Sequence, residues 1–265
     1  MSALQRFLAF QKRSVNVLYG KIVIPHIEKE MSFDDGREKL HYLFYKKKSD
    51  VLIVGFQAFN EKGARYNYVT PLMGSDANRL YIKDDFVEIC GNYYLGRNNQ
   101  YNIEKAVFEL IDKIREETKA KKLIFIGSSK GGYAAINFGI HYENAVIIVA
   151  APQYHLGSYM NDGTTFRKGL EDIVSLPVTP EKVAALDRRL PEKIRQDRFG
   201  ASQKAYIHCS VNENTYKNHV KDLIQDLEDA GVSVEFDAGE YSEHWQLKQF
   251  FPNYLCSVIE KEAKV

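Results

Sequence analysis

The stretch Leu123-Ile124-Phe125-Ile126-Gly127-Ser128-Ser129-Lys130-Gly131-Gly132 constrains this chain more than any other. A short apolar run ends in Gly-x-Ser-x-Gly, and Tyr133, Ala134, Ala135 and Ile136 continue as a helix of mostly small residues. That is the strand, sharp turn and helix that a nucleophile elbow requires. The apolar run reads as a buried parallel strand. The turn forces Ser129 into a strained backbone conformation and projects its hydroxyl above the carboxyl ends of the strands. Gly127 and Gly131 fit because a Cβ at either would crowd the reversing chain. The N–H of Lys130 opens the helix and points where an oxyanion would form. An ordinary glycine-rich turn is the plain alternative. A phosphate-binding loop is excluded, because Lys130 precedes the glycines instead of following them.

The 265 residues suit one α/β domain over 1–265, and 45% apolar content is enough for a sizeable core. With 36 basic and 35 acidic residues the net charge is +1, so the main driving force for nucleic-acid binding is missing. Cys90, Cys209 and Cys256 are an odd count in or near apolar segments. They read as buried free thiols, hence a reducing, cytoplasmic compartment. No Cys-x-x-Cys or His-x-x-x-His spacing appears, so no metal is expected. Leu4, Phe7 and Leu8 share one face of an N-terminal helix, and Gln5 and Arg6 interrupt its apolar run. That segment is neither a signal peptide nor a membrane span; it is expected to dock on the body of the protein.

Taken in order, residues 15–48 read as a β-rich segment, including Leu18 to Ile24 and Leu40 to Tyr45. Val51 to Phe56 is a buried strand. The loop after it, with Gln57 and Ala58, stands where α/β-hydrolases donate a second oxyanion N–H, and the sequence does not choose between those two residues. Leu80 to Ile82 is a further strand. The loop Gly91 to Arg97 carries Tyr93, Tyr94 and Arg97, which are expected to line a substrate cleft, since sugars pack on aromatic faces. Ile103, Ala106, Val107, Leu110, Ile111 and Ile114 form the stripe of a helix. Ala145 to Ala150 is a strand, and from 153 to 204 helical fragments replace the sheet pattern. This stretch reads as a lid insertion over Ser129; the other use for it is a contact in a homo-oligomer. Strands return at Ala205 to Cys209 and Val232 to Phe236, each followed by a helix. The expected architecture is an α/β-hydrolase fold: a mainly parallel central sheet with helices on both faces and a helical lid.

A serine hydroxyl needs a base, and in this fold the chain order is Ser, acid, His. His26 and His41 come too early, His141 ends the elbow helix, and His155 precedes the position of the acid. His208 lies in a strand and His219 in a helix. His244 follows the last strand and precedes the last helix, where the base belongs. Glu213 follows the penultimate strand and is the acid that would accept the His244 Nδ1–H. A helix-start charge is its other reading, with Asp237 and Glu243 as reserves.

Gly127-Ser128-Ser129-Lys130-Gly131-Gly132-Tyr133-Ala134-Ala135, the segment Pro152 to Gly157, Glu213 and His244 together resemble bacterial α/β-hydrolase-fold O-acetyltransferases. These include enzymes of capsular polysaccharide modification and the accessory Sec glycan acetyltransferase. The resemblance runs from about Val51 to the C-terminus. It implies acetyl-CoA as co-substrate, with no permanently bound cofactor, and a glycan hydroxyl as acceptor. No CoA-phosphate signature stands out; Lys130, Arg97 and Arg65 are candidates. The same residues would serve a carboxylesterase or deacetylase with water as acceptor. A third reading is a non-catalytic accessory protein of capsule biosynthesis or secretion, against which an intact Ser129, Glu213 and His244 argue.

Overall fold

The computed structural model describes residues 19–88, 91–196 and 202–263. The expected docking helix at Leu4, Phe7 and Leu8, the start of the first expected strand at Val15 to Leu18, and Cys90 lie outside the described residues. Eight strands form one sheet: β1 (Lys29–Phe33), β2 (Glu38–Tyr45), β3 (Val51–Phe56), β4 (Asn78–Ile82), β5 (Lys122–Ser128), β6 (Val146–Ala150), β7 (Lys204–Cys209) and β8 (Ser233–Ala238). They lie in the order β1-β2-β4-β3-β5-β6-β7-β8. β2 runs antiparallel to both of its neighbours, and the remaining pairings, from β4 to β8, are parallel. This is an α/β fold. The central strands β3, β4 and β6 are buried along their whole length and β5 along all but its first residue, as parallel strands covered on both faces must be.

The helices are α1 (Ile24–Ile27), α2 (Asn102–Thr118), α3 (Lys130–Gly139), α4 (Leu156–Asn161), α5 (Thr164–Val174), α6 (Pro180–Gln196), α7 (Lys221–Asp229) and α8 (Leu247–Glu262). α3 and α8 cover opposite faces. A Cβ on Gly139 of α3 would meet Ile147 at 2.8 Å and Phe125 at 3.2 Å, whereas Phe251 of α8 stacks on His208, whose register partner is Ala150. Side chains alternate along a strand, so Ile147 and Ala150 face opposite ways.

The N-terminal segment corrects the sequence reading. Strands β1 and β2 are present, but Tyr19–Val23 and Ile24–Ile27 are helical where Leu18 to Ile24 had been expected to extend. Pro25 sits in the first turn of α1, where its missing N–H costs nothing. The β-branched run Ile22, Val23 and Ile24 had favoured a strand, and tertiary context overrides that weak preference. Between β6 and β7 stand α4, α5 and α6, so the stretch expected to be helical is helical. None of the described helices is long and apolar enough to cross a membrane.

Candidate active site

β5 delivers the chain to Ser129, whose φ of 51° and ψ of −118° are far from comfortable for a residue with a side chain. Such a conformation costs about 1–3 kcal/mol and persists only where its surroundings enforce it. Here they do. The Ser129 N–H is tied to the Ala150 carbonyl at 2.8 Å, and its own carbonyl accepts the N–H of Gly132 at 2.9 Å. A Cβ on Gly127 would lie 2.0 Å from the Gly131 carbonyl oxygen, and one on Gly131 would lie 2.6 Å from that of Phe56. Only glycine lets the turn close against β3.

Three distant side chains meet at this turn. Ser129 Oγ is 3.1 Å from His244 Nε2, and His244 Nδ1 is 3.2 Å from Glu213 Oε1. Glu213 is buried at the end of β7, and the sulfur of Cys209 lies 3.6 Å from its Oε1. Burial and then the Glu213 charge push the Cys209 thiol far up, so it stays protonated. His244 begins a single helical turn that Glu243 and Gln246 close with a reciprocal capping box. A hydrogen bond from Ser210 Oγ to the Tyr241 carbonyl joins the loop carrying Glu213 to the loop carrying His244. The two reserve acids are engaged elsewhere: Glu243 in that cap, and Asp237 with His208 Nδ1 at 2.5 Å.

One contact involves a residue to which the sequence assigned no role. Gln153 Nε2 donates to Ser129 Oγ at 2.8 Å, from a side chain 1% exposed. Gln153 reaches the hydroxyl because α3 and the end of β6 approach so closely that a Cβ on Gly132 would lie 2.9 Å from Pro152 Cβ. The signals in the sequence were a polar residue just past a buried strand and its place in the Pro152 to Gly157 segment that carries the resemblance. Its Oε1 is buried without a hydrogen-bond partner, as is Oε2 of Glu213.

The loop after β3 narrows the oxyanion question. The Gln57 N–H donates to Tyr94 Oη at 2.8 Å, and Tyr94 Oη–H donates onward to the Ile82 carbonyl at 2.9 Å. The Gln57 side chain clasps both backbone groups of Asp84. The Ala58 N–H donates to Asn67 Oδ1 at 3.0 Å, a side-chain acceptor able to rotate away. Lys130 stands at the first position of α3, and its side chain is buried with Nζ 2.9 Å from Asp84 Oδ2.

These placements overturn the expected sugar-lining role of Gly91 to Arg97. Tyr93 and Tyr94 are 0% exposed and belong to the core. Both have positive φ, 59° and 58°, and this left-handed turn folds the rings inward. Arg97 pairs with Glu38 at 2.7 Å and Asp172 at 3.3 Å and donates to the Phe86 carbonyl, so it braces the scaffold. Of the three cations considered for CoA phosphates, Arg65 is exposed, Lys130 is buried, and Arg97 is occupied by carboxylates. Among the described residues no group of His, Cys, Asp and Glu is arranged to hold a metal ion.

No family model and no curated protein matches this sequence. Solved structures do. The capsule O-acetyltransferase of Neisseria meningitidis serogroup A, a mutant in complex with CoA, matches with TM-score 0.70 at 19% identity over 88% of this chain and 94% of that one. The glycosylation-associated Gap123 complex of Streptococcus agalactiae matches with TM-score 0.71 at 15% identity, over 88% of this chain and 46% of that one. An S-formylglutathione hydrolase of Agrobacterium tumefaciens matches with TM-score 0.60 at 10% identity, over 88% and 94%. At these identities the likeness is one of fold, shared with acyl-transferring and acyl-hydrolysing enzymes.

Proposed function

We propose that this protein is a serine acyltransferase of the α/β-hydrolase fold that moves an acetyl group from acetyl-CoA to a glycan hydroxyl. The observation that carries the reading is the line of hydrogen bonds from Ser129 Oγ through the His244 ring to Glu213. His244 Nε2 takes the Ser129 proton as Oγ attacks the thioester carbonyl carbon. Glu213 holds the ring through Nδ1–H and stabilises the imidazolium. Because Gln153 Nε2–H occupies one lone pair of Ser129 Oγ, the serine proton is left for His244, and charge developing on Oγ meets a donor already in place. The backbone N–H groups of Lys130 and Ala58 are the oxyanion donors, Asn67 releasing the second. The C–S bond breaks and His244 returns the proton to the CoA sulfur. A sugar hydroxyl then gives its proton to the same nitrogen and attacks the acetyl-serine; the ester C–O bond breaks, and His244 passes that proton to the departing Oγ. The helices between β6 and β7 form the lid that favours the sugar over water.

One observation favours a second reading, an esterase with water as acceptor: the His244 side chain is 42% exposed. Release of free CoA from acetyl-CoA, followed with and without bacterial surface polysaccharide, separates the two. Transfer requires polysaccharide to accelerate release and to gain ester-linked acetyl. Release that ignores polysaccharide establishes hydrolysis. Failure of a fluorophosphonate to label Ser129 removes both readings and leaves the accessory role.

A further inference from the structure

A cleft of about 590 Å³ opens between α4, α5, α6 and the chain entering α7, within the ~300–1,000 Å³ usual for ligand sites. One side of it is aromatic. Tyr159 and Phe166 lie with ring centroids 5.2 Å apart, and Tyr159 meets His219 edge-on at 5.6 Å. Phe166 meets Phe59 at 4.9 Å, and Phe59 directly follows the Gln57–Ala58 loop. His155, Ser158, Asp162, Asp187, Asn218 and His219 supply the polar side.

The cleft adjoins the reacting serine through the chain itself. His219 Nδ1 accepts the N–H groups of both Tyr154 and His155, at 3.3 and 3.2 Å, and so pins the turn that presents Gln153 to Ser129. With Nδ1 used as an acceptor, Nε2 carries the hydrogen and is a donor. Burial, and then the neighbouring His155, bring the His219 pKa down to about 4, so the ring is neutral near pH 7. His244 is near enough to contribute to that shift.

The charge of the lining is selective. Among the described residues that line it there are two carboxylates, Asp162 and Asp187, and no lysine or arginine. Three cations directly adjoin lining residues in the chain: Arg167 is turned to Glu171 and Asn161, Arg188 to Glu192, and Lys217 is exposed. A pyrophosphate, a sugar phosphate or a uronate would meet like charge there, with no lysine or arginine among the lining residues to neutralise it. An uncharged sugar fits each feature: its C–H face lies against the negative face of an aromatic ring, and its hydroxyls donate to carboxylates in charge-assisted bonds. A second cavity of about 390 Å³ shares Ser158 and Asp187, which gives a further sugar unit a place.

We propose that this cleft seats the acceptor, a neutral oligosaccharide, and that the CoA portion of the donor enters elsewhere. The inference rests on the acyltransferase reading for its chemistry but not for its test. The test is saturation-transfer NMR on Ser129→Ala protein, which needs no turnover. Its neutral probes are maltotriose, chitotriose and mannotriose; its charged ones are a hyaluronan tetrasaccharide, a trimer of sialic acid, and CoA. The expected result is transfer to at least one neutral trisaccharide, weakened at least fivefold by Phe166→Ala and by Asp162→Asn. Neither substitution should weaken CoA binding. Absence of transfer to every neutral probe, transfer that ignores both substitutions, or CoA binding that Phe166→Ala abolishes each overturns the proposal. The parent reading fails separately, if acetyl-CoA leaves no acetyl group on Ser129 of the unsubstituted protein.

Discussion

The two ends of β5 are both crowded with polar groups, and they treat them differently. At the amino end Lys122 Nζ pairs with Glu262 Oε2 at 2.8 Å, and Glu262 Oε1 receives Lys204 at 3.0 Å and the Tyr206 hydroxyl at 2.6 Å. Each Glu262 oxygen has a partner. Burial alone would raise its pKa; the bonds from Lys122, Tyr206 and Lys204 overcome that and hold it down at about 2. At the carboxyl end Ser129 has a strained backbone, and Gln153 Oε1 and Glu213 Oε2 are buried without partners. Beneath them lies the buried pair Asp84–Lys130, which a Cβ on Gly91 would strike at 2.4 and 2.6 Å. One strand thus runs from a saturated anchor to a site whose polar groups are held ready for something not yet bound. Stability is concentrated at one end and reactivity at the other.

The largest effect that could break this contrast concerns the reactive end. Ser129→Ala should lower p-nitrophenyl acetate turnover by about 10³–10⁴-fold or more, and adding His244→Ala should lower it little further. Steady-state rates, with melting temperatures to verify folding, check this; additive losses would mean that the residues do not act together. Next comes the pair beneath the elbow. Asp84→Asn should destabilise by about 3 kcal/mol in urea, because it removes the charge that Asp84 sets against the buried Lys130 ammonium. A loss below about 1 kcal/mol would show that the floor of the site is not held by charge. Gln153→Ala should then lower kcat by about 10- to 100-fold, the worth of one hydrogen bond to a charged atom, with KM little changed. An equal loss in Tm and none in kcat would assign Gln153 to the anchor side of the comparison. The smallest effect is at Glu262. Its folded pKa lies below its ordinary value of 4.5, so its stabilising contribution is complete above about pH 4.5 and is lost as pH falls toward 2. Glu262→Gln should flatten the fall in melting temperature across that window, and an unchanged slope would place the acid sensitivity elsewhere.

The regular part of this molecule was legible because its signals are local. The apolar runs of β3, β5 and β6 and the stripe of α2 fall where sheet and helix periodicity placed them. Ser129, Glu213 and His244 were found by their positions after strands, and the structure brings them together. Tyr93 and Tyr94 were misread because aromatic rings between glycines look the same whether a turn folds them outward or inward; the sign of φ decides, and composition does not carry it. Gln153 belongs to no motif of spacing, since its role arises from Gly132 letting Pro152 approach. The cleft around Phe166 joins segments far apart in the chain, so no window of sequence contains it.

Ser129, Gln153, Glu213 and His244 follow β5, β6, β7 and β8, four neighbours in the sheet. Ser129 comes immediately after its strand, Gln153 is the third residue past its own, Glu213 the fourth and His244 the sixth. With strands ~4.8 Å apart, each step away from β5 demands a longer reach back. These tethers are therefore measured lengths: deleting one residue from 239–243 would leave the imidazole short of the hydroxyl, whereas loops at the amino ends of the same strands can be grafted or trimmed without that consequence.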